Sequence, residues 1–291
     1  MQNIGPGPLR GAMKGVSREA KRGLITTVGY KLGDKPACYA LEGSVKIAGA
    51  AVTWLRDNME LISNYEECDE LVNKTSHSAG VFFVPALGGL YSPYWDPNAS
   101  GLFIGLSQFT KREHLVRATI DSIAFQTNDI LSIMRGVASG LMIDGGLSKS
   151  TNMCQILADI TGSDIVRPFM SEASALGAAM LASHGAGICD LTKKNHDCLP
   201  LPMCDNHHSN NINCPDLVKD VDICQSRISP EHRGSIVSTW LQAVERSMNW
   251  TKVHQEELLM IDHQRLNSLP ISLYVMLSLG MIALSEFIWQ A

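Results

Sequence analysis

The run Leu141-Met142-Ile143-Asp144-Gly145-Gly146-Leu147-Ser148-Lys149-Ser150-Thr151-Asn152 takes three apolar residues into a carboxylate and two glycines. Beyond it Met153, Ile156, Leu157 and Ile160 recur at helical spacing, which predicts a buried strand, a turn and a helix in succession. Two glycines let backbone N–H groups approach an anion closely, and the following helix would aim its positive end at the same spot. A phosphate fits such a turn. So does no ligand at all, because a tight strand-to-helix turn has the same pattern.

The elements on either side extend the alternation. Downstream, the helix is expected to run to about Ile160 and to be followed by a strand at Ile165-Val166-Arg167. A helix from Ser171 carries Ala173, Ala175, Gly177, Ala178, Ala179 and Ala182, small enough to predict close packing against its neighbours. Upstream, Val116, Ile120, Ile123, Ile130 and Met134 form the stripe of a long helix, with Thr110 and Glu113 at capping-box spacing. Leu102 to Leu106 and Val81 to Val84 read as strands. Between them the Pro- and aromatic-rich segment Leu87 to Asn98 reads as a rigid loop whose Asp96 is structural. A hairpin of Leu24 to Val28 and Cys38 to Leu41, turning at Gly33-Asp34, precedes a helix with Val45, Ala48, Ala51, Val52 and Leu55 in phase. Ala48-Gly49-Ala50-Ala51 leaves one face of that helix almost bare, for a neighbouring element or a planar ligand. Strands alternating with helices predict a layered α/β domain.

The 291 residues, 45% hydrophobic and 18% charged, have the balance of a globular chain, and a net charge of −5 without a basic cluster gives no reason to expect nucleic-acid binding. Eight cysteines in a chain of this length, without an apolar leader, are expected as reduced thiols facing the cytosol. The Asn73, Asn98 and Asn249 sequons then carry no sugar.

Residues 1–22 are poor in apolar side chains and read as a flexible start. Gly5-Pro6-Gly7 is no phosphate loop, since prolines lack the necessary N–H groups. Residues 191–227 are rich in Asn, Asp, His, Pro and Cys and read as a disordered insertion. Its Cys198, Cys204, His207, His208, Cys214 and Cys224 match no common zinc spacing, so no metal site is expected. Order returns over 228–250, where Ile236, Val237, Trp240, Leu241, Val244 and Met248 line one side of a helix. A linker, 251–265, leads to 266–291, in which Leu266 to Ser285 holds no charge over 20 positions. That is the length of a bilayer span, and it reads as a tail anchor that leaves the globular part on the cytoplasmic face. A buried C-terminal helix of the fold is the other reading.

Tyr39-Ala40-Leu41-Glu42-Gly43 through Trp54-Leu55-Arg56-Asp57, Pro93-Tyr94-Trp95-Asp96-Pro97, and Ala175-Leu176-Gly177-Ala178-Ala179 resemble the C-terminal half of the glycerol kinases within the FGGY carbohydrate kinase family. Gly101 to Leu106, followed after seven residues by His114 to Asp121, is similar to that family's second signature. The resemblance covers 23–190 and resumes at 228–250. It implies an actin-like, ribonuclease-H-like layered α/β lobe with a C-terminal hydrophobic helix, on the ATP side of a two-lobed kinase that transfers the γ-phosphate of Mg-ATP to glycerol.

By resemblance Gly49 approaches the nucleotide, and Gly145 and Gly146 offer backbone to its phosphates. Thr53 and Ser150 stand where the family commonly has Gln and Asn, which implies weaker contacts to ATP. The cofactors implied are ATP and Mg2+. No catalytic residue is assigned, because the base and the glycerol site belong to a lobe upstream of this sequence. A hydrophobic tail at the mitochondrial outer membrane also occurs in the family. The function implied is glycerol phosphorylation, shared with a lobe outside these residues. The alternative is a catalytically silent, membrane-tethered nucleotide-binding or interaction module, as a homo-oligomer or paired with a full-length kinase.

Overall fold

The computed structural model describes residues 2–4, 23–34, 36–134, 141–167, 173–188 and 222–251. The chain forms two compact units, Met1–Met248 and Asn249–Ala291, and every element named below belongs to the first. The hydrophobic run 266–285, residues 5–22, and 189–221, with Cys189, Cys198, Cys204, Cys214, His207 and His208, lie outside the described residues. Among the described residues no helix is long and apolar enough to cross a membrane.

β2 (Ile25–Tyr30) and β3 (Cys38–Val45) form the expected hairpin, in register from Ile25↔Glu42 to Val28↔Tyr39, with a register shift before Tyr30↔Cys38. β1 (Gln2–Ile4) pairs antiparallel with the far edge of β3, Gln2 opposite Val45. These residues fall in the segment whose composition suggests a flexible start. β3 runs four residues beyond the expected Leu41, and its outer backbone groups at Gly43 to Val45 take up the extended segment. Gly43 lies flat on the central helix: a Cβ there would sit 2.4 Å from Ile130 Cγ2.

α1 (Gly49–Asp57) starts later than the spacing predicts, because Val45, 2% exposed, is the inward-facing last residue of β3. Its Ala51 packs with Val81, Phe83 and Ala118, beside the stacked rings of Trp54, Phe83 and Phe103. α2 (Tyr65–Asn73) is capped reciprocally: Asn64 Oδ1 accepts the Glu67 N–H at 2.8 Å and the Glu67 carboxylate accepts the Ser63 N–H at 2.7 Å. β4 (Phe82–Val84) and β5 (Leu102–Ile104) pair antiparallel. β5 stops two residues short of Leu106 because Gly105 turns the chain at φ +87, with its Cα so close to Gly80 that a Cβ would meet the Gly80 carbonyl oxygen at 2.0 Å. Asp96 is buried in the intervening loop and accepts the Asn98 N–H at 2.8 Å, a structural carboxylate as expected.

α3 (Arg112–Ile133) is the centre of the unit and packs against β3, β4, α1, α2 and α4. Its cap is not the Thr110/Glu113 pair. Lys111 is the N-cap, its N–H donating to His114 Nδ1 at 3.1 Å, while Thr110 Oγ1 closes the preceding turn by accepting the Ser107 N–H at 2.8 Å. The predicted stripe is buried, and so are Thr119, Ser122, Gln126, Thr127, Asn128 and Asp129, since elements enclose the helix on several sides. The Thr and Ser hydroxyls bond back to carbonyls of their own helix. One Asp129 oxygen accepts both the Tyr94 hydroxyl and Trp240 Nε1–H, each at 2.8 Å. Burial pushes the Asp129 carboxyl up to about 6, against the pull of its two donors.

The last sheet is β6 (Leu141–Met142), β7 (Ile165–Arg167) and β8 (Asp222–Cys224), in that order. β6 and β7 are parallel and joined through α4 (Thr151–Thr161), while β8 is antiparallel to β7. α4 ends on Gly162 at φ +68, a left-handed stop suited to glycine. α5 (Ala173–Gly185) follows. α6 (Pro230–Ser247) is started by Ser229, whose hydroxyl accepts the His232 N–H at 3.2 Å, with Pro230 in the first turn. Its Trp240 and Val244 enter the core, but Leu241 is exposed, so the apolar face is narrower than the spacing suggests.

Candidate functional site

The strand leading into the Asp-Gly-Gly turn is shorter and less buried than expected. Leu141 is buried, but Met142 is 44% exposed because β6 lies at the sheet edge with one side outward. Ile143 N–H still bonds to Val166 O at 3.0 Å, and then the chain turns away. Asp144 is exposed. Gly145 adopts φ +86, which an L side chain would strain, and opens a one-turn 3-10 helix over Gly146–Lys149. Ser148 closes it, with its N–H at 3.1 Å and its hydroxyl at 2.7 Å from Gly145 O. Among the described residues a Cβ built on Gly145 or Gly146 would meet nothing within 4 Å, which leaves the backbone on the outer face of the turn uncovered by them.

α1 stands beside this turn: a Cβ on Gly49 would touch Leu147 Cδ1 at 3.7 Å. Among the described residues no side chain caps α1, whose N-cap is Ala48, and its first turn holds no acidic residue. The uncapped N–H groups and the positive end of the helix dipole therefore lie next to the open glycine pair. The bare Ala48–Ala51 face is divided, with Gly49 on the turn and Ala51 in the core.

Thr53 and Ser150 are both held by α2. Thr53 Oγ1 is 3.0 Å from the Tyr65 hydroxyl. Ser150 is the N-cap of α4, accepting the Met153 N–H at 3.2 Å while donating to Asp69 Oδ1 at 2.6 Å. Asn152 Nδ2 reaches the same Asp69 oxygen and the Asp69 carbonyl, each at 3.4 Å. Tyr65 and Asp69 are four residues apart on one helix face, so a single element braces two positions distant in the chain. On the other side of the turn Arg167 donates to Ser148 O at 3.1 Å and Lys149 O at 3.3 Å, and is ion-paired with Asp222.

The structure thus brings Gly49, Gly145, Gly146 and Ser150 to one turn, with Thr53 one helical turn along α1. Sequence reasoning missed Tyr65, Asp69, Asn152 and Arg167. The segment Tyr65-Glu66-Glu67-Cys68-Asp69 has the composition of a solvated acidic helix, and only its packing on α4 gives Asp69 a partner.

Residues 11–186 match the profile of the "FGGY family of carbohydrate kinases, C-terminal domain". The chain belongs to that family. The glycerol kinase 2 of Thermotoga maritima is 40% identical over 238 residues, a match covering 80% of this chain and 44% of that protein. The crystal structure of Plasmodium falciparum glycerol kinase with ADP superposes with a TM-score of 0.62 at 32% identity, over 78% of this chain and 42% of that one. A xylulose kinase from Lactobacillus acidophilus shares the fold, with a TM-score of 0.55 at 19% identity over 80% of this chain and 42% of that one. The chain therefore spans less than half the length of the kinases it matches, and what it spans is the actin-like C-terminal lobe. This FGGY lobe has the layered α/β organisation that the alternating elements predict.

One prediction within the FGGY lobe fails. The small residues of α5 were expected to press against neighbours, yet Ala175, Ala178, Ala179 and Ala182 are exposed and a Cβ on Gly177 would meet nothing within 4 Å among the described residues. Alanine is the strongest helix former, so an alanine-rich run specifies a helix whether or not anything approaches it.

Proposed function

We propose that this chain is the nucleotide-binding lobe of a glycerol kinase and that Gly145 and Gly146 receive the phosphates of ATP. The observation that carries this reading is the open Gly145-Gly146 backbone beside the uncapped N-terminus of α1. Together they offer N–H donors and a positive dipole with no side chain in the way, which suits a polyphosphate. Gly49 leaves room at the start of α1 for the rest of the nucleotide, and Thr53 and Ser150 line its path. Because both hydroxyls already have partners on α2, part of their contact with ATP runs through water, and affinity is lower than with longer amides at these positions.

Among the described residues no three His, Cys, Asp or Glu side chains gather as a metal site. Magnesium fits this lobe as the ion carried by ATP, held by phosphate oxygens and water, with exposed Asp144 the nearest carboxylate in sequence to the turn. It would neutralise charge on the transferred phosphoryl group. The protein's share is to hold the phosphates by backbone and to position them.

Transfer to glycerol, yielding glycerol 3-phosphate, needs a base and a glycerol site on the opposite side of the phosphoryl group, in a lobe N-terminal to the matched part. Residues 1–291 on their own therefore bind Mg-ATP and leave glycerol unphosphorylated. Calorimetric titration of Mg-ATP and Mg-ADP onto the chain, with an assay for glycerol 3-phosphate, tests both statements. Binding with no product is expected; absence of binding sinks the nucleotide site, and turnover like that of a whole kinase sinks the division of labour. Residues 266–285 we assign to a membrane anchor, at the mitochondrial outer membrane by the family's precedent. Deleting 266–291 should release the protein from membranes, and a chain that is equally soluble with this segment intact refutes the anchor.

A further inference from the structure

Cys154 and Cys224 meet at the last sheet from different elements. Cys154 is fully buried on α4, Cys224 is half-buried on β8 opposite Ile165, and both are free thiols. α4 packs on β8, and the residues following the two cysteines are joined directly, Gln155 Nε2 donating to Gln225 O at 2.9 Å across a separation of 70 residues. Cys224 lies across the strand from the fully buried Ile165, on the sheet that α4 covers, and α4 packs on both β7 and β8. Arg167 shares the Ser148 carbonyl with Cys154, also donates to Lys149 O, and is ion-paired with Asp222, two residues before Cys224. The Cys154 S–H donates to Ser148 O at 3.4 Å, which links the pair to the glycine turn.

We propose that Cys154 and Cys224 are a redox pair that closes to a disulfide with a peroxide as oxidant and reopens with thiol, stapling β8 to α4 next to the Gly145–Ser150 turn. Cys224 is the more accessible of the two, whereas burial pushes the Cys154 thiol up. Cys224 therefore reacts first. Its sulfur displaces hydroxide from the O–O bond, giving a sulfenic acid and, with a proton, one water. The Cys154 sulfur then attacks the Cys224 sulfur, the S–O bond breaks, and the hydroxide leaves as a second water with the Cys154 proton. Peroxide gains the two electrons that the sulfurs lose. The closed pair removes the S–H donor from Ser148 O, so the turn is then held on this side by Arg167 alone of the two.

The full chain is treated with a slight excess of hydrogen peroxide, alkylated without reduction and cleaved before aspartates. This isolates Cys154 on residues 144–158 and Cys224 on residues 222–261. Mass spectrometry should find these two peptides linked, two hydrogens lighter than their sum, and separated again by dithiothreitol. In the Cys154→Ala chain Cys224 should instead stop as a sulfenic acid that dimedone traps. Separate sulfinic acids at the two positions in the wild type, or linkage of either to one of the other six cysteines as the main product, overturns the proposal. The wild-type map decides this without the variant.

Discussion

Replacing Asp129 by Asn removes a titrating charge while leaving an oxygen at the junction it occupies. Both donors, Tyr94 and Trp240, bond to the same Asp129 oxygen, and the Asn carbonyl can take its place. Burial raises the carboxyl from 3.8 to about 6, so the folded chain holds this proton more tightly than the unfolded one. The stability that protonated Asp129 contributes is present in full below about pH 4 and is lost as pH rises through about 6. A gap of roughly two pH units corresponds to about 3 kcal/mol that the wild type has given up by pH 7 and the variant keeps. Asp57, Glu67 and Glu231 shift the other way, lowered by hydrogen bonds to Arg56, to Ser63 and to their own helix start, but both chains share them and they cancel in the difference. Urea unfolding of both chains from pH 4 to pH 7, followed by tryptophan fluorescence, gives that difference directly. The two should be of similar stability at pH 4, with Asp129→Asn the more stable by up to about 3 kcal/mol at pH 7. A difference that does not change with pH, or that moves in favour of the wild type as pH rises, refutes the argument.

Gly146→Ala should fold with a stability within about 0.5 kcal/mol of the wild type, since among the described residues its methyl meets nothing within 4 Å, yet bind Mg-ADP at least ~10-fold more weakly by calorimetry because the methyl stands where a phosphate would rest. Ser150→Ala loses a helix cap and leaves Asp69 without its hydroxyl donor, and should lower stability by about 1–2 kcal/mol in urea titration. Gly43→Ala drives a methyl to 2.4 Å from Ile130 Cγ2 and should lower stability by about 1–3 kcal/mol, read as a drop of several degrees in thermal midpoint.

The glycine turn was legible because its signals are local: two glycines and a following helical period lie within sixteen positions. The helix start at Gly49 was not, because Val45 fits the phase of a helix as well as it fits the end of a strand, and only β1 opposite, with Gln2 across from Val45, decides between them. The cap of α3 slipped by one residue for a related reason. Thr110 is the better capping side chain, but its hydroxyl is engaged by Ser107, and His114 serves Lys111 instead. Asp69 was beyond reach, since its role depends on α2 lying against a helix 81 residues further on. Small residues on α5 misled because smallness permits close packing without requiring it.

The Tyr94–Asp129–Trp240 junction also bears on the order in which the chain is made. Trp240 leaves the ribosome 111 residues after Asp129, about 5–20 s later at ordinary elongation rates. Until then the central helix holds a buried-to-be carboxylate with only Tyr94 to meet it, and the stacked ring of Trp240 is missing from Phe125. The loop and the central helix can assemble early, but the core closes only when α6 arrives. A nascent chain arrested before residue 240 should therefore remain open to protease within α3, and one arrested far enough beyond α6 to free it from the ribosome should resist.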